Sequence, residues 1–292
     1  MHYWNIFTEA VKNHYNYVLS EITEPALVNY FYFLIVVSIV VFALELIIPW
    51  RKGQKVFRKQ FWLDVFYMFF NFFLFMIVFV GAATVTEKLF INFLSLFGWN
   101  LESLHIVNLG ALPTALQLII FFLVVDFVQW WTHRLLHRVN FLWEFHKVHH
   151  SVEEMGFAAH LRYHWMETVV YKTIQYLPVA ILANVSSPYV FIVFYAQILI
   201  GHLNHANIRL DYGPLKYIFN NPKMHIWHHS KHLPPERKYG VNFGLSISLW
   251  DYIFGTAYIP HSGKDIDLGF DHVEAYPKTF LGQMFEPFSR KR

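Results

Sequence analysis

Between Asp126 and Ser151 the chain reads DFVQWWTHRLLHRVNFLWEFHKVHHS, which contains His133, His137, His146, His149 and His150. His133 and His137 are four apart, so on a helix they share one face. His146, His149 and His150 fall at i, i+3 and i+4, again one helical face. Neighbouring helical turns can therefore aim five imidazoles at one point. Neutral imidazole binds iron, zinc, copper and nickel, so this is the spacing of a metal site. The triplet returns as MHIWHHS, with His225, His228 and His229. A lone His-x-x-x-His is more often a pair of surface or core histidines. Two His-x-x-His-His clusters beside one such pair are hard to explain as packing. Without metal, so many clustered imidazoles would repel one another as they protonate.

The elements that must hold these residues are membrane helices. The chain has 292 residues, 55% hydrophobic, 20% aromatic and 15% charged, against about 25% charged in a soluble domain. Mean hydropathy is +0.32. No linker or low-complexity run divides the chain, so residues 1–292 read as one integral-membrane domain. The absence of cysteine removes thiolate haem, cysteine-held iron–sulfur clusters, cysteine-rich zinc sites and disulfides. The net charge of +3 is small, and the basic residues are not interleaved as a nucleic-acid surface requires. They flank hydrophobic segments, as expected beside anionic lipid headgroups.

Residues 1–25 predict an amphipathic helix lying in the interface. Asn29 to Ile48 predicts a first span, long enough at 1.5 Å per residue to cross about 30 Å of hydrocarbon. Arg51, Lys52, Lys55, Arg58 and Lys59 follow in a loop that the charge bias places on the cytoplasmic side. Trp62 to Val85 predicts a second span, with Asp64 at its entry and Asn71 facing a neighbouring helix. Residues 87–113 read as a far-side loop with a short helix near residues 89–97. Thr114 to Trp131 predicts the third span and feeds into His133. Asp126 lies on the His133 face, either as partner to an arginine such as Arg134 or as the acceptor that orients a ligand imidazole. Val169 to Ile200 is apolar but broken by Pro178, Asn184 and Ser186-Ser187-Pro188, which predicts a hairpin that enters and returns. It brings His202 and His205 back to the first clusters. From Leu210 the chain turns polar and is expected to dock on the helix ends and close the site. The fold class is all-α: a membrane bundle of about four spans or span-equivalents under a cytosolic, histidine-rich helical cap.

The order of motifs resembles the fatty acid hydroxylase/sterol desaturase superfamily over about Asp126 to Thr256. These are D-x-x-x-W-W-x-H-R-x-x-H ending at His137, H-x-x-H-H-S at His146, and R-x-H-x-x-E at Arg162, His164 and Glu167. Next come H-A-N at His205, N-x-P-x-x-H-x-x-H-H-S from Asn220, and N-F-G with S-x-W-D-x-x-F-G-T from Asn242. The resemblance implies a two-metal centre, normally two non-haem iron ions (with zinc possible as isolated), on the cytosolic face of a helical scaffold. It implies O2-dependent hydroxylation or desaturation of a lipid C–H bond. His133, His137, His146, His149, His150, His225, His228 and His229 match the family's ligand motifs. His205 matches a further family histidine, and His164 a position that some branches lack. His160 and His202 have no clear counterpart. His105, His232, His261 and His272 read as surface histidines. Asp126, Asn207, Asn242 and Asp251 are candidates to support the ligands by hydrogen bonds. The alkylglycerol monooxygenase branch carries an acidic residue where this chain has Arg138.

No glycine-rich dinucleotide motif is visible, so electrons are expected from a partner: a reductase, ferredoxin or cytochrome. The lipid substrate would enter sideways from the bilayer. Two other classes stay open at this point. A zinc-dependent membrane lipid hydrolase would use three ligands, a water and a carboxylate base. A metal transporter or buffer would place its ligands along a path through the spans.

Overall fold

The computed structural model describes residues 1–289. The helices in chain order begin with α1 (His2–Thr23), α2 (Tyr30–Ile47), α3 (Phe61–Phe69), a π-helical turn at Phe70–Phe75 and α4 (Met76–Ser95). They continue with α5 (Thr114–Arg138), α6 (Asn140–His150), α7 (Trp165–Ile181) and α8 (Ser187–His205). Three short helices follow: α9 (Pro222–His228), α10 (Leu249–Ile253) and α11 (Phe280–Phe285).

Among the described residues three segments are long and apolar enough to cross a membrane: Tyr30–Ile47, the continuous Phe61–Ser95, and Thr114–Arg138. On α2 only Tyr30, Leu34, Val37 and Val41 are buried. That is the i, i+4, i+7, i+11 stripe of one helical face, packed on α3 and α8. The other faces expose Val36, Ile39 and Val40, as a lipid-facing surface does.

The second span is longer than expected. It runs to Ser95 and absorbs the short helix expected near residues 89–97. Its π turn places Asn71 toward the Tyr163 carbonyl, to which the amide donates at 2.9 Å. The first helix also differs from expectation. Instead of standing apart in the interface, α1 runs antiparallel along α4. The Asn92 amide donates to the Tyr3 hydroxyl at 3.2 Å, and Phe7 and Val11 press on Gly81. A Cβ there would come within 2.8 Å of both, so only glycine permits this approach.

The predicted hairpin is α7 and α8. Its tip, β2 (Leu182–Ala183), pairs in parallel with β1 (Val107–Asn108) just before α5. The hairpin therefore reaches as deep as the start of α5, then returns to the histidine end. Halfway back, the side-chain amides of Gln129 and Gln197 exchange hydrogen bonds at 3.0 and 2.7 Å.

The polar C-terminal segment does dock on the helix ends. Asp126 is its anchor: the carboxylate accepts from Ser246 N at 3.1 Å, Ile247 N at 3.3 Å and Trp250 Nε1 at 3.0 Å. The carboxylate thus neither pairs with Arg134 nor orients an imidazole, because three donors from one loop already hold it. Residues 51–59 lie at the same end, where the Gln54 amide donates to the Met155 carbonyl at 2.8 Å. Lys52, Lys55 and Lys59 are exposed. Arg58 is not: it is buried against Asp64 at 2.6 Å, and Asp64 also pairs with Arg162 at 2.9 Å.

Candidate metal centre

Four elements supply the imidazoles. The end of α5 gives His133 and His137, α6 gives His146, His149 and His150, the end of α8 gives His205, and α9 gives His225 and His228 with His229 at its C-cap. They do not meet at one point. His133, His137, His146, His150 and His228 form one group, and His149, His205, His225 and His229 a second, with the ligand atoms in each within 4.8 Å of one another. Each triplet is divided. In α6 the i, i+4 pair His146/His150 joins the first group and the middle His149 the second. In α9 the i, i+4 pair His225/His229 joins the second group and the middle His228 the first. Residues four apart diverge by about 40° around a helix, whereas the i+3 residue lies about 100° from i+4. One helix can therefore face two centres.

The local sequence makes this possible. Asn221 caps α9 by accepting from Met224 N at 2.9 Å, and Pro222 at the first helical position needs no amide partner. That fixes a seven-residue helix, α9, in the phase its histidines require.

The tautomers decide whether the groups fit metal. A carbonyl can only accept, so His133 Nδ1 donates to Phe243 O at 2.8 Å and His228 Nδ1 to Val241 O at 2.8 Å. His205 Nδ1 donates to Gly201 O at 2.7 Å. Glu167 Oε2 lies 3.0 Å from His146 Nδ1. The His133, His228 and His205 rings then present a bare Nε2 lone pair. The bare Nε2 of His133 stands 3.2 Å from His146 Nε2, and that of His228 3.1 Å from His150 Nε2. Among the described residues there is no partner for the buried His137 Nε2. Around the second centre, His205 Nε2 is 3.0 Å from His225 Nε2 and 3.3 Å from His149 Nε2, and His229 Nε2 is 3.2 Å from His225 Nε2. A tetrahedron of imidazoles at about 2.0–2.1 Å from a cation has edges of about 3.3–3.4 Å. The donor atoms fit such ions. The Nδ1 atoms of His149, His225 and His229 are buried without a partner, so in the second group the protein fixes only the tautomer of His205.

Burial, and then the neighbouring imidazoles, hold His146, His149, His150, His225, His228 and His229 well below their ordinary 6.5. These rings are neutral near pH 7, as metal binding requires.

The other sequence candidates act at a remove or elsewhere. Asp251 accepts from Phe243 N at 2.9 Å and Gly244 N at 2.8 Å, and from Trp130 Nε1 at 3.0 Å. It steadies the loop whose carbonyl holds His133. Asn242 sits between the two carbonyl residues, Val241 and Phe243, at φ 54°. Its side chain donates to Met224 O at 2.9 Å and Tyr258 O at 2.8 Å, tying that loop to α9. Among the described residues Asn207 makes no hydrogen bond to an imidazole. It brackets Arg51, accepting from its N at 2.9 Å and donating to its O at 3.2 Å. His164 lies outside both groups: Nδ1 accepts from Met166 N at 3.1 Å and Nε2 donates to Met284 O at 3.0 Å. Both its nitrogens serve the start of α7 and the docking of α11. Arg138 lies over the Tyr239 ring at 5.3 Å.

Two features escaped the sequence reading. Glu167 sits in the first turn of α7, where an acid reads as ordinary helix-start chemistry; its place in the Arg162–His164–Glu167 motif was the only signal. His160 and His202 form a buried pair, Nδ1 to Nδ1 at 2.9 Å, and His202 Nε2 is 3.3 Å from Ser38 Oγ.

Two spaces reach the groups. A cavity with about 160 Å³ open to the centres of water molecules runs between the spans. It is walled by Met68, Phe72, Phe194 and Ile198, and by His133, His146, His149, His205 and His225. On the other side, an open polar cleft of about 820 Å³ is walled by His137, His150 and His228.

The fatty acid hydroxylase family matches residues 118–256, the stretch that holds all nine grouped histidines. The chain is 33% identical over 179 residues to an ornithine lipid hydroxylase of Rhizobium tropici, covering 61% of this chain and 52% of the relative. It is 31% identical over 169 residues to an alkylglycerol monooxygenase of Xenopus tropicalis, covering 57% and 34%. A very-long-chain aldehyde decarbonylase of Oryza sativa is 28% identical over 178 residues, covering 58% and 52%. The chain thus spans about half or less of the length of these relatives. No solved structure matches. Two histidine groups on membrane-capable helices agree with the match of residues 118–256 to the fatty acid hydroxylase family.

Proposed function

We propose that the protein is a membrane-bound non-haem di-iron oxygenase that hydroxylates or desaturates a C–H bond of a lipid, using O2 and electrons from a partner protein. The observation that carries this reading is the meeting of two imidazole groups at the wall of one apolar cavity. Two iron ions would be held by His133, His137, His146, His150 and His228, and by His149, His205, His225 and His229. Bound there, they would supply the activation of dioxygen and the removal of hydrogen from carbon.

The chain's own residues do the rest. Phe243 O, Val241 O and Gly201 O keep three imidazoles in one tautomer, and Glu167 Oε2 stands 3.0 Å from His146 Nδ1. Met68, Phe72, Phe194 and Ile198 offer an acyl chain an apolar slot that excludes water from the reacting carbon. Entry from the bilayer fits a cavity that lies between the spans. The exposed Lys52, Lys55 and Lys59 support placing the metal end in the cytoplasm, where a reductase, ferredoxin or cytochrome would deliver electrons. Two groups of five and four imidazoles exceed the three protein ligands of a catalytic zinc.

The test combines two measurements. Metal analysis of protein purified in detergent should give about two ions per chain, as the two groups imply. Mass spectrometry of lipids from cells with and without the protein should show a lipid class gaining one oxygen or losing two hydrogens. One zinc per chain with a hydrolysed lipid instead would reject the oxygenase.

A further inference from the structure

The cavity wall carries two buried acceptors that the proposed chemistry leaves unused. Asn71, on the π turn, is 7% exposed. Its Nδ2 donates to Tyr163 O at 2.9 Å. That bond fixes which end of the amide is oxygen, and among the described residues Oδ1 then has no donor. Glu167 is 1% exposed. Oε2 lies 3.0 Å from His146 Nδ1, and among the described residues neither carboxylate oxygen has a hydrogen-bond partner. Both residues line the cavity. They are joined through Tyr163, whose carbonyl holds Asn71 and which precedes Glu167 by four positions. A buried acceptor without a donor is costly and uncommon, and at a ligand cavity it marks what the ligand must bring.

We propose that Asn71 and Glu167 form an acceptor pair that receives a hydrogen-bond donor of the lipid, so that the substrate class is lipids bearing a hydroxyl or amide N–H within a few bonds of the oxidised carbon. This rests on the reading of the cavity as the lipid site. Glu167 touches His146 of the first group, which sets the donor beside the reacting end of the chain and not at a distant headgroup. The π turn has a matching role. Bulges of this kind occur where a helix presents a side chain to a functional site, and here that side chain is Asn71. A bare hydrocarbon would leave both acceptors unpaired, so the site rejects it in favour of a donor-bearing analogue of the same shape.

The experiment measures binding without oxygen or reductant, in metal-loaded protein in detergent, with pairs of lipids that differ by one donor hydrogen. Hexadecanol is compared with hexadecyl methyl ether, and N-methylhexadecanamide with its N,N-dimethyl counterpart. The donor-bearing member should bind at least about tenfold more tightly in each pair. Asn71→Leu should cut hexadecanol's advantage to about threefold or less and leave the ether's affinity and the metal content unchanged. Equal binding within both pairs overturns the acceptor pair while the cavity stands as the lipid site. A variant that weakens alcohol and ether alike gives Asn71 a packing role and also overturns it. Failure of all four lipids to bind removes the lipid reading of the cavity along with it. The paired comparison in the unmodified protein needs no variant, so a folding defect in Asn71→Leu would not rescue the proposal.

Discussion

Asp251 accepts the backbone N–H of Phe243 at 2.9 Å, and the carbonyl of that same Phe243 takes the Nδ1 proton of His133 at 2.8 Å. The carboxylate therefore controls an imidazole it never touches. Asp251→Ala strips acceptors from Phe243 N, Gly244 N and Trp130 Nε1, each worth about 1–3 kcal/mol when left buried and unpaired. We expect stability to fall by at least about 3 kcal/mol, and the first group to bind metal more weakly. Thermal unfolding with metal analysis checks both.

The middle histidines of the triplets belong to opposite groups. His228→Ala should empty the first group and His149→Ala the second, each lowering bound metal by about one ion per chain. Both should abolish turnover. His105, exposed and far from either group, is the control, and His105→Ala should change neither quantity. Full metal content in either middle-histidine variant would contradict the division of the triplets.

His164 separates family pattern from local geometry. Its two nitrogens bind Met166 N and Met284 O. His164→Ala should cost about 1–3 kcal/mol of stability and release α11, yet keep the full complement of metal. Loss of metal at unchanged stability would return His164 to the ligand set.

Acid should strip the centre over a defined range. The buried histidines sit below the ordinary value of 6.5 when folded, so between those two values the unfolded chain binds more protons than the folded one. Stability contributed by the neutral rings is then present above about pH 6.5 and lost as the pH falls below it. Metal retention and unfolding midpoint should decline together below that point, whereas raising the pH from 7 to 8 should alter neither through these groups.

Lys52 and Lys264 line one surface recess, which puts the basic loop and the C-terminal segment at one end of the bundle. Single cysteines at exposed Lys55 and Lys264 should label from the cytoplasmic side alone. Labelling from opposite faces would reject the hairpin path of α7 and α8.

The i, i+4 spacing of His133/His137 and the returning triplets were legible because helical phase is a local property of sequence. So were the spans, since bilayer thickness sets their length. What the sequence could not carry was which centre each histidine faces. That depends on how α5, α6, α8 and α9 cross, and so His149 and His228 read with their own triplets. Asp126 misled for a similar reason: two turns before His133 on one face, it is claimed by a loop that begins 120 residues later. The partners of the imidazoles were largely invisible, because Val241, Phe243 and Gly201 act through carbonyls that every residue possesses. The route of α1 escaped because its contact rests on Gly81, whose value lies in the side chain it lacks.

The division of the triplets makes the centre a clasp between distant parts of the chain. Each group draws on residues before 151 and residues after 204. Neither can be complete until Pro222–His229 has been synthesised and has reached the ends of α5 and α8. Metal bound in both groups would close two seams at once and fasten the C-terminal segment to the bundle. An ion withdrawn from either group should loosen that segment, so resistance to protease after residue 205 would report the state of the metals before any lipid is turned over.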